Sequence, residues 1–251
     1  MEISAIVITK NESANIVACL QSLIWVDEVI LVDSGSTDNT LELAAQFVNV
    51  TILTSTWLGY SGTKRVAVKH TNYDWVLWID ADEILSSELQ QELESLALKH
   101  TQAVAYHMPR KTFFMGEWVK YTGWYPGRVI RLFNKHHCDF NNNILHEGIV
   151  VKEGARVDGL KHDILHYSYT SLYQYFHKMN AYGKYGAEEL QRRGKKFHAF
   201  QLVLNPFTSF IKFYFFKKGF KDGKKGLIIS IGSAFSNFIK YTNFYYLQKK
   251  P

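Results

Sequence analysis

Three acids in four residues close an apolar run, Asp74-Trp75-Val76-Leu77-Trp78-Ile79-Asp80-Ala81-Asp82-Glu83. Side chains at i and i+2 of an extended chain point to the same side. Asp80 and Asp82 so placed would form a hard-oxygen site suited to Mg²⁺ or Mn²⁺, and such an ion would neutralise a departing diphosphate. The rival is that the acids only lead into the helix opened by Ser86-Ser87-Glu88, with Glu83 as a helix-start residue. A second acid, Asp33, stands first after the apolar run of Leu31-Val32-Asp33-Ser34-Gly35-Ser36-Thr37-Asp38. A carboxylate there can accept hydrogen bonds from a nucleobase imide or a ribose hydroxyl, although Ser, Gly, Thr and Asp are also ordinary turn residues. Arg128 and Arg131 lie on opposite faces of a strand-like run to Phe133. Both offer a bidentate fork to phosphate oxygens.

Such groups need a scaffold. Residues 3–9, 28–32, 50–53 and 75–79 read as strands, and residues 15–23 and 39–47 as helices, with a further helix ending over 66–70. Short alternation of this kind predicts an α/β fold with a mainly parallel sheet flanked by helices. Ligands of such sheets bind beyond the carboxyl ends of the strands. The polar breaks at Thr9-Lys10-Asn11-Glu12, Asp33-Ser34-Gly35-Ser36 and Asp80-Ala81-Asp82 would all meet at that edge. There is no Gly-x-Gly-x-x-Gly and no Gly-Lys-Ser/Thr loop, which excludes a dinucleotide fingerprint and a P-loop.

Taken together, Ile6-Val7-Ile8-Thr9-Lys10-Asn11-Glu12, Leu31 to Asp38 and Trp78 to Glu83 resemble the family 2 glycosyltransferases over at least residues 3–85. The resemblance implies the Rossmann-like GT-A fold, inversion at the anomeric carbon and a UDP-sugar donor. It implies that Thr9 and Glu12 line the nucleotide pocket and that Asp33 binds the uracil or ribose. Asp80 would lie near ribose and metal, and Asp82 would ligate Mn²⁺ or Mg²⁺. In Gly59-Tyr60-Ser61-Gly62-Thr63-Lys64-Arg65, Lys64 or Arg65 would face the diphosphate, unless the two are a solvated basic pair. Leu145-His146-Glu147-Gly148 is similar to the branch that builds the lipopolysaccharide core. That likeness makes Glu147 the base that takes the acceptor's proton, with His146 beside it at the acceptor; a surface turn is the alternative. His166 resembles a histidine of the same branch that reaches the metal or diphosphate, and a structural histidine is the rival reading. Trp118 and Trp124 have aromatic faces on which an acceptor sugar could stack. The absence of Gln-x-x-Arg-Trp near Arg131 points to transfer of a single sugar rather than processive synthesis.

The chain's 251 residues, 47% apolar, suit one large α/β domain with an appendage. The expected division is a catalytic domain over 1–170, with a nucleotide-sugar half (1–100) and an acceptor half (101–170), then a helical extension over 171–251. Residues 192–251 hold 13 of the 29 Lys and Arg but one acid, Asp222, so this segment carries +12 and the preceding residues −6. Its basic residues alternate with long apolar runs, which suits an anionic membrane surface and not nucleic acid. Packing of these helices on the sheet is the alternative. Neither apolar run, 197–216 or 226–239, approaches an uninterrupted span of about twenty residues. Two distant cysteines suit a reduced compartment, and the first residues read as a strand without a basic leader. These readings predict a cytoplasmic enzyme, peripheral on the inner face of the bacterial inner membrane. The family resemblance alone implies that it would move glucose from UDP-glucose to a heptose of a lipopolysaccharide or lipooligosaccharide inner core. Rivals are transfer to a protein side chain or another lipid-linked glycan, and a non-catalytic membrane-binding module. The sequence leaves the oligomeric state open.

Overall fold

A computed structural model describes residues 2–97, 102–141 and 147–249. The chain divides into two compact units, residues 1–110 with 128–166, and residues 111–127 with 167–251.

The first unit is built on a sheet whose order begins β3 (Val50–Thr54), β2 (Glu28–Asp33), β1 (Ile3–Thr9), β4 (Trp75–Asp80). These strands run parallel. Beyond them the sheet is mixed: β8 (Gly127–Asn134) pairs antiparallel with β4, and β12 (Ile164–Tyr169) antiparallel with β5 (Glu83–Leu85). The α/β expectation holds, with the continuous parallel ladder formed by the N-terminal strands.

A parallel sheet covered on both faces reads as continuous apolar runs, and β1 is such a run. Ile3, Ala5 and Val7 pack with Ile16, Cys19 and Leu20 of α1 (Ile16–Gln21) and with Leu89 and Leu93 of α4 (Ser87–Ala97). Ile6 faces the other way, with Ile30, Val76, Trp78 and Ala67 of α3 (Gly59–Lys69). The register sets Thr9 beside Asp33 and Ile8 beside Asp80, so the carboxyl ends of β1, β2 and β4 lie side by side. The strand order reverses at β1, since β2 lies on one side and β4 on the other. That is the switch point at which open α/β sheets take ligands.

The second unit is mainly helical. Ser171 caps α5 (Leu172–Arg192), its hydroxyl accepting from the Gln174 N–H at 3.2 Å. A helix over Gln201–Ile211 (α6) continues into a π turn at Lys212–Phe216, and α7 covers Gly223–Lys249. Gly183 and Gly232 let α5 and α7 approach closely, since a side chain at either would collide with Ile239 or Tyr175. The Tyr175 hydroxyl donates to the Ile229 carbonyl at 3.1 Å within a core shared with Phe114, Val119 and Tyr169. No helix among the described residues is long and apolar enough to cross a membrane.

Candidate active site

The end of β4 carries a buried charge cluster. Strand alternation puts Trp78 and Asp80 on one side, and the Trp78 indole N–H donates to Asp80 Oδ1 at 2.9 Å. Lys64 Nζ, from α3, stands 3.0 Å from Asp80 Oδ1, and Arg131 Nη2, from β8, stands 2.9 Å from Asp80 Oδ2. Both cations also lie over the Trp78 ring, each 3.7 Å from its centroid. The ring's negative face thus supplements the carboxylate. Burial pushes the Asp80 carboxyl up, but Lys64, Arg131 and the Trp78 N–H together hold it well below the ordinary carboxylate range.

Glu83 completes the cluster and corrects the expectation of a helix-start residue. It is fully buried in β5, with Oε1 2.6 Å from Arg131 Nη2 and 3.4 Å from Arg110 Nη1. Its Oε2 accepts from the Asp80 backbone N–H at 3.1 Å. The physical reason is direct: Arg131 is 1% exposed, and a guanidinium out of water requires a carboxylate partner. Burial lowers the Arg131 pKa, but Glu83 and Asp80 more than offset this and raise it. Its Nε and Nη1 are buried without a hydrogen-bond partner.

The alternation rule does not carry from Asp80 to Asp82. The strand ends at Asp80 and residues 81–82 form a turn. Asp82 meets His166 instead, Oδ2 to Nε2 at 3.2 Å. Among the described residues no group of three or more His, Cys, Asp or Glu side chains could hold a metal by itself. The carboxylate and imidazole together are a two-ligand oxygen and nitrogen set compatible with Mn²⁺, with further ligands left to a substrate or water. Asp80, already between two cations, is a poorer direct ligand.

Lys64 is fully buried, so it is not half of a solvated pair; Nζ also reaches Glu147 Oε1 at 3.1 Å. Its neighbour Arg65 turns away to Asp139, at 2.9 Å, and to the Phe140 carbonyl. Lys64 therefore joins Asp80 and Glu147, while His146 lies outside the described residues.

At the other strand ends, Asp33 Oδ2 accepts from the N–H groups of Gly35 and Ser36 at 2.9 and 3.0 Å, closing its own turn. The Glu12 N–H donates to Thr40 Oγ1 at 2.9 Å, and Glu12 Oε2 accepts from Asn15 at 2.8 Å. Thr9 Oγ1 and Ser34 Oγ are buried there without a hydrogen-bond partner. Arg128 stands apart from the Asp80 cluster, donating to the Leu160 carbonyl at 3.1 Å and lying 3.2 Å from His107 Nδ1. Trp118 and Trp124 belong to the second unit. Trp118 packs edge-on against Phe113 and Tyr167, and Trp124 packs against Phe114 and Tyr169.

A Rossmann-like sheet with carboxylates and buried hydroxyls at its switch point defines a class, and the sequence match is specific. Residues 4–162 match glycosyl transferase family 2, and the chain belongs to that family. It is 36% identical over 249 residues to an uncharacterized glycosyltransferase of Rickettsia typhi, covering 95% of this chain and 85% of the relative. It is 28% identical over 251 residues to the lipopolysaccharide core biosynthesis glycosyltransferase LpsC of Rhizobium meliloti, covering 98% of this chain and 92% of the relative. Among solved structures it resembles S. aureus TarS 1-349 in complex with UDP-GlcNAc. The TM-score is 0.50 at 16% identity, over 99% of this chain and 92% of that one, a likeness of fold.

Proposed function

We propose that the protein is an inverting glycosyltransferase that moves one sugar, glucose by first choice, from a UDP-sugar to a glycolipid. The acceptor we favour is a heptose of a lipopolysaccharide or lipooligosaccharide inner core, made at the inner face of the bacterial inner membrane. The likeness to LpsC over nearly the whole chain supports the acceptor class. One observation carries the catalytic reading: Lys64 Nζ touches Asp80 at 3.0 Å and Glu147 at 3.1 Å, joining the end of β4 to the expected base.

In this reading Thr9, Ser34 and Asp33 receive the nucleoside, and the two buried hydroxyls gain the partners they lack. Asp82 and His166 hold Mn²⁺ or Mg²⁺, which when bound offsets charge on the diphosphate. Lys64, and the unpaired N–H groups of Arg131, supply positive charge near the leaving group. Glu147 accepts the proton of the acceptor hydroxyl as its oxygen attacks the anomeric carbon. The bond to the UDP oxygen breaks on the opposite face, inverting the centre. Arg128, away from the Asp80 cluster, is assigned to the donor only because its fork suits phosphate oxygens, and Trp118 and Trp124 are the aromatics assigned to acceptor stacking.

UDP-sugar hydrolysis with and without Mn²⁺ tests the reading. Turnover of UDP-glucose that rises with Mn²⁺ is expected; neither turnover nor UDP binding would sink it.

A further inference from the structure

The second unit displays an unusual helix face. Phe200, Val203, Leu204 and Phe207 follow the i, i+3, i+4, i+7 spacing of one helical stripe. They are 61%, 75%, 50% and 61% exposed. The opposite face of α6, centred on Ser209, is the packed one: the Asn237 side-chain amide of α7 donates to Ser209 Oγ at 3.1 Å. Hydrophobicity therefore points outward on this helix, the reverse of an ordinary surface helix. Phe215 and Phe216, at the end of the π turn, extend the exposed apolar surface.

Charge indicates what covers it. Lys212, Lys217, Lys218 and Lys221 are all exposed in the segment that follows α6. The only acid between Arg192 and Lys249 is Asp222. It is buried, accepting from the backbone N–H groups of Lys120 and Tyr121 at 3.2 and 2.7 Å. The exposed charges of this segment are all positive. A self-association face would set these lysines against their own copies. An anionic bilayer satisfies both the apolar stripe and the lysines.

We propose that the α6 stripe inserts into an anionic phospholipid surface, gripped by the lysines that follow it. This deepens the proposed function and rests on its membrane-borne acceptor.

The test is co-sedimentation of the full chain with vesicles of phosphatidylcholine, alone or mixed with phosphatidylglycerol. The protein should sediment with the mixed vesicles and not with phosphatidylcholine alone. Val203→Asp with Phe207→Asp should weaken that binding at least about tenfold, since two inserted apolar groups become charged. Lys217→Glu with Lys218→Glu should weaken it by about tenfold or more without touching the stripe. Val48→Asp, at an exposed apolar position of the first unit, should bind like wild type. UDP-sugar hydrolysis and UDP binding in lipid-free solution separate the two readings: stripe-dependent sedimentation with neither hydrolysis nor UDP binding would keep the surface and sink the enzyme. Wild-type sedimentation by both double variants would overturn the proposal. So would a stripe-dependent dimer that ignores vesicles.

Discussion

The two units use cationic side chains in opposite ways. In the first, Lys64 and Arg131 are buried and answered by Asp80, Glu83 and Glu147 around a tryptophan ring. In the second, Lys212, Lys217, Lys218 and Lys221 are exposed, and Asp222 beside them is buried. A net charge hides this contrast. Buried, paired cations orient partners and are costly to disturb; exposed, unanswered ones attract an external anion and contribute little to folding.

Glu147→Gln tests the contrast at its strongest. It keeps shape and should leave UDP binding intact while lowering sugar transfer by about 10²–10⁴-fold, the usual worth of a general base. Near-normal transfer would mean that another group takes the proton. Arg131→Met comes next. It strands Glu83 without its closest cation, and urea unfolding should record a loss of about 3–5 kcal/mol. A loss like that of a surface substitution would erase the distinction between the units. Lys217→Gln with Lys218→Gln, the matching change in the second unit, should leave the melting temperature unchanged.

The smallest effect concerns Asp38, whose carboxyl is drawn down to about 2, first by the Thr40 hydroxyl and, against the opposing desolvation, by Ser13 and the Thr40 backbone N–H. A carboxyl lowered in the folded state stabilises above its unfolded pKa of about 3.9. That contribution fades as pH falls from there to about 2. Asp38→Asn should therefore flatten the acid dependence of stability in that window and leave neutral pH values nearly parallel. An unchanged acid limb would mean that the hydrogen bonds of the turn are not kept in solution.

The strands β1 to β4 and the convergence of their polar ends were legible because each is a local pattern: apolar runs of strand length ended by turn residues. The role of Glu83 was not. Arg131 and Arg110 come from β8 and β6 (Ala105–Phe114), far along the chain, and a residue flanking an acidic pair looks like a helix start until β5 is seen. The i, i+2 rule was sound but belonged to Trp78 and Asp80, since the turn begins one residue earlier than an extended Asp80-Ala81-Asp82 requires. Lys64 and Arg65 were equivalent as letters; helix phase buries one and sends the other to Asp139. The outward stripe on α6 was hidden because composition reports apolar content, not which side faces water.

In the proposed function the first unit binds a UDP-sugar, and a divalent cation through Asp82. Thermal unfolding of the full chain with UDP-glucose, with and without Mn²⁺, tests it directly. We expect UDP-glucose and Mn²⁺ together to raise the melting temperature more than either alone, and Asp82→Ala to abolish the Mn²⁺-dependent part. No shift with UDP, UDP-glucose or UDP-GlcNAc, or an undiminished Mn²⁺-dependent shift in Asp82→Ala, would contradict the account.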